Sequence, residues 1–493
     1  MKKILKIEMM ILVLALTAGA TSLRAQATNQ VEQLQQQLRQ MRESFEKIQR
    51  EQNAQIAALT QKLNELARHQ TAAAEPKKLE AQLAGESAPV QTTVPPAVFA
   101  KSWSPSDPIR VGKGGTYADL SMVGTFAVGG STANDIGALQ LGGHDPNQRG
   151  FTVQGAEMNL KGAVDPYFRA NATVAFLIDN GGETGVELEE AWLESVLLPY
   201  NLQIRAGQYL TDFGRLNSQH PHSWGFVDAP IVSGRLLGED GLRNPGARIS
   251  WLAPTPFYSE LFFGVQNSQG GTAHSFRSDH GGEPFFDRMD TARGVKRFSD
   301  LLYSARYATS FELTDNQTLL GGLTAVFGPN GSGDNTDTQI YGADVYWKWK
   351  SPNAHGGFPF VSWQTEAMLR RYQAGASTSA DLTGDSVPDF VPRETVTDWG
   401  AYSQVLWGFK PGWIAGLRGD FATGNQAEYE KLYGPDLSRV TRWRISPNLT
   451  WYPSEFSKLR LQYNYDDRDR IGVDHSIWLQ FEFLLGAHAA HKY

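Results

Sequence analysis

Between Ser102 and Tyr493 the chain runs in short stretches of alternating apolar and polar residues. From Tyr341 to Lys350, Tyr341, Ala343, Val345, Trp347 and Trp349 hold alternate positions, with Asp344, Tyr346, Lys348 and Lys350 between them. Side chains of a strand repeat every two residues, so these become two faces, one suited to lipid and one to water. The pattern returns where Leu459, Leu461, Tyr463 and Tyr465 oppose Lys458, Arg460, Gln462 and Asn464, and again in Ile477, Leu479, Phe481, Phe483 and Leu485. A soluble β-sandwich also alternates. The connections and the aromatic residues separate the two possibilities.

Hydrophobic period and turn chemistry predict about sixteen strands. Tight turns are expected at Val164-Asp165-Pro166, Leu198-Pro199-Tyr200, Ala253-Pro254-Thr255-Pro256, Thr314-Asp315-Asn316, Lys410-Pro411-Gly412 and Pro453-Ser454-Glu455. Between them lie long connections near 130–149, 211–242, 268–298, 373–395 and 422–438. This asymmetry puts turns at one rim and long loops at the other, as in outer-membrane barrels with periplasmic turns and external loops. An even strand count that begins in the periplasm returns the C-terminal end there.

The chain carries 13 Trp, 17 Tyr and 25 Phe, many at expected strand ends: Trp251, Tyr258, Trp399, Trp407, Trp413, Trp443, Trp451 and Tyr452. Aromatic rings favour the headgroup level, where an apolar body and a polar edge are both satisfied, although core filling accounts for any single one of them. A mean hydropathy of −0.37 leaves no apolar run of about 20 residues for a membrane helix in the mature chain. The apolar run Met9–Ala20 follows Lys2, Lys3 and Lys6 and precedes Ala25-Gln26-Ala27, which reads as a secretory signal over residues 1–27, with Glu8 a departure. Absent cysteines remove thiolate chemistry and disulfides and suit an exported chain. A net charge of −7 gives no support to nucleic-acid binding.

Residues 28–70 contain no Gly or Pro and space Val31, Leu34, Leu38, Met41, Phe45 and Ile48 by threes and fours. After a four-residue slip around Gln52 the spacing resumes with Ile56, Leu59, Leu63 and Leu66, predicting a coiled coil with one stutter, against a lone amphipathic helix docked on the barrel. Residues 71–101, with Pro95-Pro96, are expected to be a flexible linker to a barrel over 102–493. The fold class is an all-β transmembrane barrel preceded by an α-helical coiled coil.

A barrel of about sixteen strands is expected to enclose an aqueous lumen. Its polar face includes Lys161, Arg169, Arg205, Arg248, Arg306, Lys348, Lys350, Arg418, Arg442, Arg444 and Arg460, and fixed cations would favour anions. Glu157, Glu187, Glu189, Asp344, Glu366, Asp420 and Glu482 also lie in strands, so a mixed-charge wall held by ion pairs stands beside that reading. The third long loop, Thr211–Leu242, holds Phe213-Gly214-Arg215-Leu216-Asn217, His220-Pro221-His222, Trp224 and Asp228. It is the candidate to fold inward as a constriction, with Arg215, His220, His222 and Asp228 at the pore beside Arg205, Arg248, Arg306, Lys348, Arg418, Arg442 and Arg444. No metal site is expected. His220 and His222 supply two ligands where zinc needs three or four, and His488 and His491 are expected at the opposite rim. Asp381, Asp385 and Asp389 surround Gly384 without the full calcium-loop pattern, which favours a solvated turn. Ser218 and His220 lack a matched orienting acid, so no enzymatic activity and no cofactor are expected. The residues before Ser102 are too few for a receptor plug of about 130 residues with 22 strands.

Signal peptide, coiled coil, Pro-bearing tether and barrel together resemble the phosphate-selective porin family and related trimeric outer-membrane porins with an N-terminal periplasmic coiled coil. The resemblance covers most of the chain as architecture, but no loop carries the closely spaced lysines and arginines of phosphate channels. It implies passive diffusion of small hydrophilic solutes, anions among them, through an outer-membrane homotrimer in contact with lipid, with the coiled coil in the periplasm and the third long loop as constriction. Arg215 carries over only as an arginine in that loop. The alternative is a structural or adhesive barrel tethered through its coiled coil.

Overall fold

The computed structural model describes residues 109–113, 116–179, 181–278, 280–291 and 294–486. The expected signal peptide, coiled coil and linker, and His488 and His491, lie outside the described residues. Sixteen strands follow in chain order: β1 Thr116–Ser131, β2 Gly150–Ala163, β3 Phe168–Ile178, β4 Thr184–Ser195, β5 Leu202–Leu210, β6 Arg243–Leu252, β7 Tyr258–Asn267 and β8 Leu301–Thr314. The second half is β9 Gln317–Pro329, β10 Asp337–His355, β11 Phe358–Ala374, β12 Glu394–Lys410, β13 Trp413–Gly424, β14 Arg442–Ser454, β15 Ser457–Arg468 and β16 Gly472–Gly486. Each pairs antiparallel with its neighbours in the chain, and β16 closes on β1 with Gly486 opposite Ser121. Closure satisfies the backbone all round, which lipid demands of any sheet placed in it. A short arm, Ile109–Lys113, pairs with Thr116–Leu120 along the part of β1 that β16 leaves open.

The strand count agrees with the sequence reading, and the rims separate as expected. Seven tight turns occupy one rim. The seventh, Gly356-Gly357, escapes a search for Pro and Asp because it is a glycine pair with φ of 58° and 87°, the left-handed values of a two-residue hairpin. On the other rim, three connections at 179–183, 330–336 and 469–471 are too short to stand out, while loop 1 (132–149), loop 3 (211–242), loop 4 (268–300), loop 6 (375–393) and loop 7 (425–441) are the long ones.

Polarity is inverted relative to a soluble protein. Leu323, Val405, Trp407, Leu417, Leu461, Ile477, Leu479 and Phe481 are exposed on the outer face, while Arg418, Asp420, Arg460, Gln462, Gln480 and Glu482 are buried inside. Trp251, Tyr258, Trp407 and Trp451 stand exposed toward the turn rim and Tyr303, Phe327, Tyr341 and Trp399 toward the loop rim. These are the levels where aromatic girdles belong.

The lumen departs from the open aqueous tube expected of about sixteen strands. Phe213, Leu216, Val232, Leu236, Leu237 and Leu242 of loop 3 join Ala273 and Phe276 of loop 4 and the wall residues Leu302, Val326, Ile340, Met368 and Tyr402 in one buried apolar cluster. A barrel this wide is too large for wall side chains to fill, so two loops supply the filling. The helix α1, Ile231–Leu237, lies within loop 3 against β11, β12 and β13. Loops 4, 6 and 7 cap the loop end, where the buried Arg288 donates to the carbonyls of Gly375 and Pro392 and to Glu394. In loop 6, Asp381 accepts from Gly384 and Ser386 and Asp389 from Leu382 and Thr383, so these carboxylates hold turn amides.

Candidate functional site

Loop 3 crosses the lumen because acids and amides on the far wall receive its backbone. Gly214 turns at φ 57°, and the amides of Arg215 and Leu216 donate to Glu366 Oε1 at 3.1 and 2.8 Å. Farther along, Val227 N donates to Gln462 at 2.9 Å, Ile231 N to Asp420 at 3.2 Å and Ala229 N to Asp145 of loop 1 at 2.8 Å. Asp228 is fully buried and accepts from Arg418 at 2.7 Å, Arg444 at 3.0 Å, Gln462 at 2.8 Å and Asn464 at 2.7 Å. A loop carrying this many polar groups into a barrel needs such partners, since an unpaired buried group costs about 1–3 kcal/mol. A Cβ at Gly214 would come within 2.1 Å of Glu366 Oε2. Gly214→Val is therefore expected to displace the loop from Glu366 and to lower the urea midpoint of unfolding; an unchanged midpoint would place the loop elsewhere.

Most of the basic residues expected at the pore are paired with acids. Arg205 and Arg248 share Glu194 at 2.7 and 2.9 Å, and Arg248 also reaches Asp212 at 3.1 Å. Arg306 pairs with Asp344 at 2.6 Å. Arg418 binds Asp420 as well as Asp228, and Arg442 and Arg444 both bind Asp466 at 2.6 Å. The wall is thus a mixed-charge network. Arg215 and Lys348 differ: among the described residues neither forms an ion pair, and each lies on an aromatic ring, Arg215 on Tyr346 at 4.0 Å and Lys348 on Phe360 at 5.1 Å. Arg215 borders a cavity of about 210 Å³ that Asp212, Ser218, Tyr258, Arg306 and Asp344 also line.

His220 and His222 are drawn into a second cluster that sequence reasoning did not assemble. His220 Nε2 lies 3.1 Å from Glu190 and its Nδ1 lies 3.0 Å from Glu189 Oε2, while His222 Nδ1 is 2.9 Å from Glu157. His144 of loop 1 completes the group, with Nε2 3.2 Å from Glu189 Oε1 and Nδ1 2.8 Å from the Gln154 carbonyl. His220 and His222 are not an isolated pair, because loop 1 and the strands β2 and β4 bring the remaining groups from distant sequence. Strict alternation would turn either Glu189 or Glu190 outward. A bulge in β4 pairs Glu190 with Thr173 and Leu188 with Val174, leaving Glu189 unpaired, and both carboxylates face inward. A second bulge in β2, at Gln154, presents the carbonyl that His144 meets. Burial alone would push the His144 imidazole down, but Glu189, Glu157 and Asp240 raise it to about 9. Ser218 donates instead to the Arg215 carbonyl.

His220 stands where two cavities meet. One of about 660 Å³ opens toward the turn rim, lined by Asp119, Lys161, Arg169, Asn171, Glu190 and Trp192 besides His220. The other, of about 50 Å³, lies toward the loops and is lined by His144, Glu189, Asn217, Trp224, Asp240 and Arg243 as well as His220.

Over 405 residues, 76% of this chain and 80% of the relative, the sequence is 31% identical to an uncharacterized protein of Aquifex aeolicus (strain VF5). This chain belongs to that protein's family. No family model matches it. Its fold is similar to that of the outer membrane channel DcaP of Acinetobacter baumannii, with a TM-score of 0.50 and 12% identity over 76% of this chain and 99% of that one. OmpF of Salmonella typhi, solved with daunomycin, gives a TM-score of 0.45 at 11% identity over 76% of this chain and 100% of that chain. The shared fold is a closed antiparallel β-barrel of sixteen strands. Within it, the features that depart from a plain tube are loop 3 with its acidic anchors, Arg215 on one side of the loop and the His–Glu cluster on the other.

Proposed function

We propose that this protein is an outer-membrane channel for passive diffusion of small hydrophilic solutes, narrowed by loop 3, with anions favoured at Arg215. The observation that carries the reading is a closed barrel, apolar outside and polar inside, whose third loop is anchored across the lumen with cavities left on both sides. Because Arg205, Arg248, Arg306, Arg418, Arg442 and Arg444 are paired with acids, the anion preference beside loop 3 is assigned to Arg215 and Lys348. The heptad-like spacing of residues 28–70 supports self-association through a coiled coil, and its number of three and its place in the periplasm are what the resemblance to trimeric porins implies. The packed lumen favours a second reading, a closed structural or adhesive barrel.

Planar-bilayer conductance with a salt gradient separates the two. Discrete steps, grouped in threes for a trimer, and an anion-selective reversal potential are expected. One unit charge about 4 Å from a permeating ion in water contributes about 1 kcal/mol. Arg215→Ala should accordingly reduce anion permeability roughly fivefold and lower the anion-to-cation permeability ratio. A reversal potential untouched by that substitution would remove Arg215 from the selectivity, and no conductance at all would leave the closed barrel.

A further inference from the structure

We infer that His144, His220, Glu189 and Glu157 form a binding site for one divalent first-row transition-metal ion, with Glu190, His222 and the Gln154 carbonyl orienting the ligands. The oxygens and ring nitrogens offered by His144, Glu157 and Glu189 all lie within 4.8 Å of one another, and the three residues are buried. His220 Nδ1 stands 3.0 Å from Glu189 Oε2 and 3.6 Å from Glu157 Oε2. Imidazole and carboxylate ligands bind zinc-like ions at about 2.0–2.2 Å, which sets neighbouring donors roughly 3 Å apart. His144 to Glu189 at 3.2 Å, and His220 to Glu189 at 3.0 Å and to Glu157 at 3.6 Å, fall near that spacing.

Two further observations point to a ligand. Glu189 is only 2% exposed, yet its Oε2 accepts no aligned hydrogen bond among the described residues. The His220 Nδ1 nitrogen lies 3.0 Å from that oxygen. Each histidine is also held from behind. His144 Nδ1 faces the Gln154 carbonyl at 2.8 Å and His220 Nε2 faces Glu190 at 3.1 Å. A neutral ring whose far nitrogen donates to an oxygen has its lone pair on the near nitrogen, so an entering ion displaces the proton there, and this outer support is what metal-binding histidines carry. Mixed imidazole and carboxylate donors suit zinc, cobalt and iron(II) better than calcium or magnesium, which take oxygen alone. Such an ion would tie loop 1 and loop 3 to the wall where the two cavities meet. The site stands independently of what the channel carries.

The test uses the untagged full-length protein in detergent, stripped with a chelator and titrated with Co²⁺. One Co²⁺ per chain is expected, with visible d–d bands of a nitrogen and oxygen site that Zn²⁺ displaces. Glu190→Gln, which changes the group behind His220 and leaves every proposed ligand in place, should weaken binding by roughly 10- to 100-fold, and Glu189→Gln and His144→Gln by more. Heat-modifiable migration in gels checks that each variant folds. If a ligand variant does not fold, the wild-type titration and Glu190→Gln still decide. Failure of the wild-type protein to bind Co²⁺ with such bands would overturn the site. So would binding unchanged by these substitutions, or binding lost when His488 and His491 are replaced by alanine instead.

Discussion

Asp228→Ala is expected to free the middle of loop 3 from the far wall and to raise single-channel conductance in planar bilayers. The Asp228 carboxylate joins the loop to Arg418 on β13, Arg444 on β14 and Gln462 and Asn464 on β15. Removing one partner from a buried ion pair costs about 3–5 kcal/mol, because the remaining charge is left without compensation. Here two guanidiniums, each 1% exposed, would each lose one carboxylate and keep one, Arg418 its bond to Asp420 and Arg444 its bond to Asp466, so that figure is the upper end of the cost. The loop's other bonds to that wall include Val227 N on Gln462, Ile231 N on Asp420, Arg418 on the Asp228 carbonyl, Asn448 on the Gly225 carbonyl and Arg460 on the Trp224 carbonyl, and a single hydrogen bond has a net value of about 0.5–1.5 kcal/mol. Water entering around the two arginines is cheaper than leaving them dry, so the loop should move and the lumen should widen. Asp228→Asn keeps the shape and removes the charge; it should give an intermediate conductance. Equal conductance in all three proteins would show that loop 3 does not limit the path.

The second large effect is expected on the outer face. Leu479 sits in the middle of β16, outward and 43% exposed, between Val128 of β1 and Leu461 of β15. If this face meets the hydrocarbon centre, Leu479→Arg should cost about 2–4 kcal/mol. A lower yield of heat-modifiable protein on folding into lipid vesicles would report it, together with a lower urea midpoint. The same substitution in a water-exposed strand would be close to neutral. A Leu479→Arg variant that folds into vesicles as well as the wild type would mean that this face is not in lipid.

The elements most legible in the sequence were those governed by a short repeat. Lys458, Arg460, Gln462 and Asn464 face inward and Leu461 and Tyr463 outward because strand geometry permits no other assignment once one face is apolar. Turns were legible where Pro, Asp or Asn occurs and missed at Gly356-Gly357, where backbone freedom alone makes the turn. The inward course of loop 3 could be anticipated from its length and its mixture of Gly, aromatic and polar residues. Its anchors could not, since Glu366 and Gln462 lie 150 and 235 residues from the amides they receive. Glu189 and Glu190 show the limit of alternation: the bulge that turns both inward comes from pairing with β3 and leaves no mark in the local sequence.

A barrel with an apolar outer face, two unlike rims and a polar interior was thus written into the chain, because strand period and turn chemistry act over a few residues. What fills that interior emerges only when the barrel closes. Which arginine meets which carboxylate, how loops 3 and 4 build a core inside the barrel, and that His144 and His220 both meet Glu189 are settled by closure of the ring, which brings β1 against β16 and loop 1 against loop 3. Burial then decides the rest, since charged and polar groups buried inside the barrel must find partners there whatever their distance along the chain.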